Sequence, residues 1–122
     1  MHTPRYHYLF DISAIREELF SSSVLTRILR ALTDVVEMHV LAGPLIAEGH
    51  PDNPGLTGIV VVDYSHISIH TFAMHNEALI DIFSCKPYDR DKVRKYLHEN
   101  CCTKESTIRE QEIRWDTVKR TP

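Results

Sequence analysis

Apolar and polar positions change their period several times along the chain, and each change marks an element. Tyr6, Tyr8, Phe10 and Ile12 alternate with His7, Leu9 and Asp11, the two-residue period of a strand with one strongly apolar face. From Ser23, a good N-cap residue, Val24, Ile28, Leu32, Val35 and Val36 recur at helical spacing through about His39, which predicts an amphipathic helix covering a sheet. Val40 to Ala47 is apolar but interrupted by Gly43-Pro44, the mark of a short or bent strand, and Glu48 to Gly55 is dense in turn formers. Thr57 to Asp63 is a β-branched run suited to a buried strand; Ile67 and Ile69 then alternate with Ser68 and His70, and Ala78 to Phe83 reads as a further strand ended by Lys86-Pro87. Asp89 to Asn100 predicts a second helix with Val93, Tyr96 and Leu97 on one face. Ser106 to Trp115 predicts a last strand, in which Ile108 and Ile113 break strict alternation and point to a bulge.

The order β-α-β-β-β-β-α-β predicts an α+β fold, a two-layer sandwich of a mainly antiparallel sheet with two helices on one face. A chain of 122 residues fits one domain, 1–122, and its 43% hydrophobic content is enough to build a core. Fourteen basic and seventeen acidic side chains give a net charge of −3 with neither sign gathered into a block, so nucleic acid is not an expected partner. The longest apolar run, Gly58 to Val62, is far short of the roughly 20 residues a membrane helix needs, and Met1 to Tyr6 holds no signal-peptide core. The expectation is a soluble, cytoplasmic protein with no membrane partner. Three cysteines, two of them adjacent, argue against a disulfide scaffold and leave one thiol available for chemistry.

His66, His70 and His75 invite a metal site, but on an extended strand His66 and His70 lie about 13 Å apart, too far for one ion, so no metal is expected. Cys85 with His70 could form a nucleophile and base; equally, Cys85 could close a buried strand as a small hydrophobe. Cys101 and Cys102 lack the spacing of a redox or zinc motif and read as structural. The densest polar cluster is Gly55-Leu-Thr-Gly58, then Tyr64-Ser-His-Ile-Ser-Ile-His-Thr71, then Asp81-Ile-Phe-Ser-Cys85. Between apolar strand segments, a desolvated hydroxyl, imidazole or thiol needs a partner or a purpose.

These residues resemble the short prokaryotic S-adenosylmethionine decarboxylases. Their pattern is close to Glu-Ser-His-(Ile/Leu)-(Ser/Ala)-Ile-His-Thr, preceded by Gly-x-(Ser/Thr)-Gly and followed by Asp-x-Phe-(Ser/Thr)-Cys. The clear similarity spans about residues 53–88. The resemblance implies self-cleavage between Tyr64 and Ser65 into fragments of 64 and 58 residues, with Ser65 becoming an N-terminal pyruvoyl group, and no metal. That group would form a Schiff base with the amine of the substrate, S-adenosylmethionine first among candidates, and accept the electrons released with carbon dioxide in the supply of an aminopropyl donor for spermidine synthesis. By similarity His70 is the base that removes the serine α-proton during processing, Thr57 the assisting hydroxyl, and Cys85 the donor that returns a proton to the substrate. On one straight strand Ser65 and His70 would lie about 16 Å apart on opposite faces, and the family's two-fold dimers answer this by combining Ser65 and Cys85 of one subunit with His70 and Thr57 of the other.

The pattern departs from the family twice. Tyr64 stands where the family has Glu, and Phe72-Ala-Met74 stands where it has Trp-Pro-Glu. The family's glutamate is associated with the ribose hydroxyls of the substrate, which a methionine thioether cannot replace as an acceptor. Phe72 keeps an aromatic surface for substrate binding, and His75 or Glu77 are the nearby substitutes. A decarboxylase of another amino acid such as arginine, or a non-cleaving homolog that binds a metabolite or acts as a regulatory module, fits the same departures.

Overall fold

The computed structural model describes residues 3–115. Six strands form one sheet: β1 (Tyr6–Ile12), β2 (Val40–Glu48), β3 (Leu56–Val62), β4 (Ser65–Phe72), β5 (Glu77–Ser84) and β6 (Ile108–Glu112). Their spatial order is β2-β3-β4-β5-β1-β6, and every neighbouring pair is antiparallel. Two helices complete the second layer, α1 (Ser22–Val35) and α2 (Arg90–Cys101). The expected element order and the α+β sandwich are thus both present.

Strand alternation decides which residues meet the helices. Phe10 and Ile12 of β1, Val60 and Val62 of β3, Ile67 and Ile69 of β4 and Ile80 and Ile82 of β5 are buried in one core with Leu25, Ile28, Leu29 and Leu32 of α1 and Val93 and Leu97 of α2. The residues between them, His7, Thr57, Ile59, Val61, His66, His70, Asp81 and Phe83 among them, therefore belong to the opposite, helix-free face. Gly58 brings α1 down onto the sheet: a Cβ there would sit 2.9 Å from Leu29 Cδ1 and 2.7 Å from Ile46 Cδ1.

Several boundaries differ from expectation, beginning with the N-cap of α1, which is Ser21 rather than Ser23. Helix α1 stops at Val35, four residues early, because Glu37 turns the chain at φ 60°; Val36 and Met38 stay buried beyond the turn, so the apolar period outlasts the helix. The bent strand at 40–47 is a nine-residue β2 whose register against β3 shifts around Ala42 to Leu45. The expected bulge in the last strand is not needed. The β1–β6 register runs evenly from Ile108 to Glu112 and the strand ends there, which leaves Ile113 outside it, its N–H on the His7 carbonyl. Helix α2 begins as the sequence suggests, with the Asp89 carboxylate accepting from the backbone N–H groups of Asp91 and Lys92.

The turn into β3 is fixed by Gly55. Its φ is +147°, and a Cβ there would lie 1.9 Å from the Thr71 carbonyl oxygen, while the neighbouring Leu56 N–H donates to Thr71 Oγ1 at 2.9 Å. Gly55→Ala is expected to destabilise the fold by about 2 kcal/mol or more, read as a shifted urea midpoint. At the end of α2, Cys101 and Cys102 are both buried, and desolvation pushes the Cys101 thiol up to about 12. Iodoacetamide at pH 8 should alkylate exposed Cys85 in the native protein and reach Cys101 only after unfolding, as read by peptide mapping.

Candidate active site

The β3–β4 hairpin turns through Asp63 and Tyr64, and Val62 pairs with Ser65 immediately after it. The turn is pinned from α1's side of the chain. His39 N–H donates to Asp63 Oδ1 at 3.0 Å, its ring Nδ1 lies 3.0 Å from Oδ2, and Asp63 N–H donates back to the His39 carbonyl at 3.0 Å. The His39 backbone N–H, reinforced by the ring, holds the Asp63 carboxyl below its usual range. Lys86 Nζ lies 5.2 Å from the centre of the half-exposed Tyr64 ring while donating to the Glu37 carbonyl at 2.9 Å. Tyr64, which stands at the first departure from the motif, thus gives its ring face to a cation.

Ser65 has φ +147°, a conformation that side chains other than glycine's disfavour. The carbonyl of Tyr64, on the other side of the same peptide bond, accepts a hydrogen bond from Cys85 N–H at 3.0 Å. Ser65 Oγ lies 3.3 Å from His66 Nδ1. Across the sheet Ser65 pairs with Ser84, so Cys85, exposed at the end of β5, stands beside the Tyr64–Ser65 bond.

Thr57 and His70 form a second group. They are direct register partners on β3 and β4, and Thr57 Oγ1 is 3.0 Å from His70 Nδ1 on the helix-free face. Phe72 lies two residues on, opposite Glu77 of β5. Met74 is 71% exposed in the Ala73–Asn76 turn, His75 is exposed in the same turn, and Glu77 is half-buried with its strand position on the helix-free face. Ser65 and Cys85 are therefore brought together, as are Thr57 and His70, but the two groups are not. Five strand residues, about 16 Å, separate Ser65 from His70.

A row of rings crosses the helix-free face beside Ser65, and sequence reading did not assign it. His66 stacks on Phe83 with centroids 5.8 Å apart, His7 meets Phe83 edge-on at 5.0 Å, and Trp115 stacks on His7 at 6.0 Å. Trp115 Nε1 donates to His7 Nδ1 at 3.3 Å, which leaves the His7 proton on Nε2, 2.8 Å from Asp81 Oδ1. The signal was the alternation of β1 and β5, which puts His7, Asp81 and Phe83 on one face, but only strand order makes them neighbours.

Residues 6–113 match the family model described as S-adenosylmethionine decarboxylase. An S-adenosylmethionine decarboxylase proenzyme of Clostridium botulinum (strain Loch Maree / Type A3) is 30% identical over 107 residues, covering 86% of this chain and 90% of that one. One from Archaeoglobus fulgidus is 32% identical over 90 residues, 73% of this chain and 76% of its own. Among solved structures, the adenosylmethionine decarboxylase of Aquifex aeolicus VF5 superposes with a TM-score of 0.72 over 98% of this chain and all of that one, at 21% identity, a likeness of fold. With its match running from the first residue of β1 to just past β6, this chain belongs to the S-adenosylmethionine decarboxylase family.

Proposed function

We propose that the chain cleaves itself between Tyr64 and Ser65 and then decarboxylates S-adenosylmethionine. The observation that carries this reading is the state of that one peptide bond: its carbonyl is polarised by Cys85 N–H and its following residue is held at φ +147°. A hydrogen-bond donor aimed at the carbonyl oxygen is in place to stabilise the charge that develops when the Ser65 hydroxyl adds to the carbon. Strain in the peptide is relieved as the bond is broken. Addition gives an ester between Tyr64 and Ser65; removal of the Ser65 α-proton by His70 breaks the Cβ–Oγ bond and releases the Tyr64 carboxylate. Water then replaces the nitrogen of the resulting dehydroalanine, with loss of ammonia, to leave a pyruvoyl group on the 58-residue fragment.

A pyruvoyl group supplies an electron-withdrawing carbonyl that accepts the electron pair released with carbon dioxide. The residues around Ser65 suit it: Cys85 is exposed at the same strand end, where its thiol can return a proton to the substrate carbon. Phe72 provides an aromatic surface beside His70 for the substrate. The active protein is a homodimer in which Thr57 and His70 of one subunit meet Ser65 and Cys85 of the other. Supporting this, the helix-free sheet face exposes Ile59 and Val61 by 38% and 42%, with Leu45, 67% exposed, opposite Ile59 on β2.

Intact mass under denaturing conditions tests the reading. Two fragments are expected, the C-terminal one lighter than a serine-initiated chain by one ammonia, whereas Ser65→Ala stays whole; a wild-type chain that remains intact after long incubation overturns it. Carbon dioxide release should follow with S-adenosylmethionine and not with arginine or ornithine. Site sharing has its own test. A His70→Ala chain should complete cleavage only when refolded together with a Ser65→Ala chain, and failure of that mixture to cleave would reject the shared site.

A further inference from the structure

Processing starts with the removal of a proton from the Ser65 hydroxyl, and His70, assigned to the later α-proton step, lies five strand residues away in the same chain. We propose that His66 is the catalytic base of this first step, an inference that rests on the processing reaction above. Among the described residues His66 is the hydrogen-bond partner of Ser65 Oγ, with Nδ1 at 3.3 Å. Its ring is not loose. Phe83 stacks on it at an interplanar angle of 17°, and Phe83 is itself held edge-on by His7, which Asp81 and Trp115 grip through its two nitrogens. The row of rings thus positions one imidazole against one hydroxyl.

Two charged groups at this end are committed elsewhere, and Cys85 serves the bond through its backbone. The Asp63 carboxylate is held by His39, Lys86 Nζ donates to the Glu37 carbonyl, and Cys85 contributes its backbone N–H to the Tyr64 carbonyl. The step balances within the chain. His66 Nδ1 takes the Oγ proton as Oγ bonds to the Tyr64 carbonyl carbon, closing a five-membered ring whose oxyanion faces Cys85 N–H. The imidazolium then gives that proton to the Ser65 nitrogen as the carbon–nitrogen bond breaks, which leaves the ester and a free Ser65 amine with the imidazole neutral again. One residue therefore acts first as base and then as acid, while His70 is reserved for the α-proton.

The test follows the rate at which newly refolded chains split, by denaturing gel and mass, with hydroxylamine added to cut any ester that has formed at Tyr64. His66→Gln should slow fragment formation, with or without hydroxylamine, by about 100-fold or more. Added imidazole should restore part of the rate in His66→Gly but none in Ser65→Ala. His66→Phe keeps a ring to stack on Phe83 without the nitrogen, and should be as slow as His66→Gln if the nitrogen is what matters. A folded His66→Gln or His66→Phe chain that splits within about threefold of the wild-type rate overturns the assignment of His66. An uncut wild-type chain would instead overturn the processing reaction itself, so the two failures are distinguishable.

Discussion

The antiparallel register of β3 against β4 governs the whole arrangement. Because Val62 faces Ser65 across the turn, Thr57 must face His70, and every residue added between them moves the second pair one step farther from the first. The hairpin places a strained peptide at its tight end and a hydroxyl–imidazole pair five residues down its ladder. Neither end holds all four of the residues proposed to act. Sliding β4 by one residue would turn His66 and His70 toward the helices and bring Ile67 and Ile69 out in their stead, so the hydrophobic alternation that fixes the fold also fixes where the proposed site residues lie.

One-sided burial sets the rest. The isoleucines, leucines and valines of the core face anchor the strands to α1 and α2, and their intervening neighbours are released from packing. Those released positions hold most of the residues proposed to act or to support the site: His7, Asp81, Phe83, His66, His70 and Thr57 lie on the bare side of the sheet, and Cys85 and Ser65 at its margin. Most interactions there are made across strands, as in the row from His66 to Trp115, while the contact of His66 with Ser65 runs along β4. Packing on one face thus holds the polar groups of the other in fixed positions, which is what a preorganised site requires.

Much of this was legible in the sequence, for reasons that differ by element. Two-residue alternation in β1, β4 and β5 revealed strand and face together, and Asp89 marked the start of α2. The end of α1 was not legible, because Val36 and Met38 continue the apolar period after Glu37 has left the helix. For the site, the motif brought Thr57, Ser65, His70 and Cys85 forward, and simple strand geometry already separated Ser65 from His70. What one dimension cannot hold is strand order. His7 and Phe83 are 76 positions apart in sequence and become register partners only because β1 lies against β5. The hydrogen bond from Cys85 N–H to Tyr64 is likewise a product of strand neighbours, β4 and β5, and involves backbone that no residue pattern reports.

That strand order also bears on what a severed chain would be. A break after Tyr64 assigns β1, α1, β2 and β3 to one piece and β4, β5, α2 and β6 to the other. In the sheet, however, β1 is threaded between β5 and β6, hydrogen-bonded to both, while β3 remains zipped to β4. The two pieces clasp one another along three ladders. They would part only by dismantling the sheet, and once apart would have to find each other again as separate molecules, so the cut would turn a chain that folds alone into an assembly whose recovery from unfolding depends on concentration.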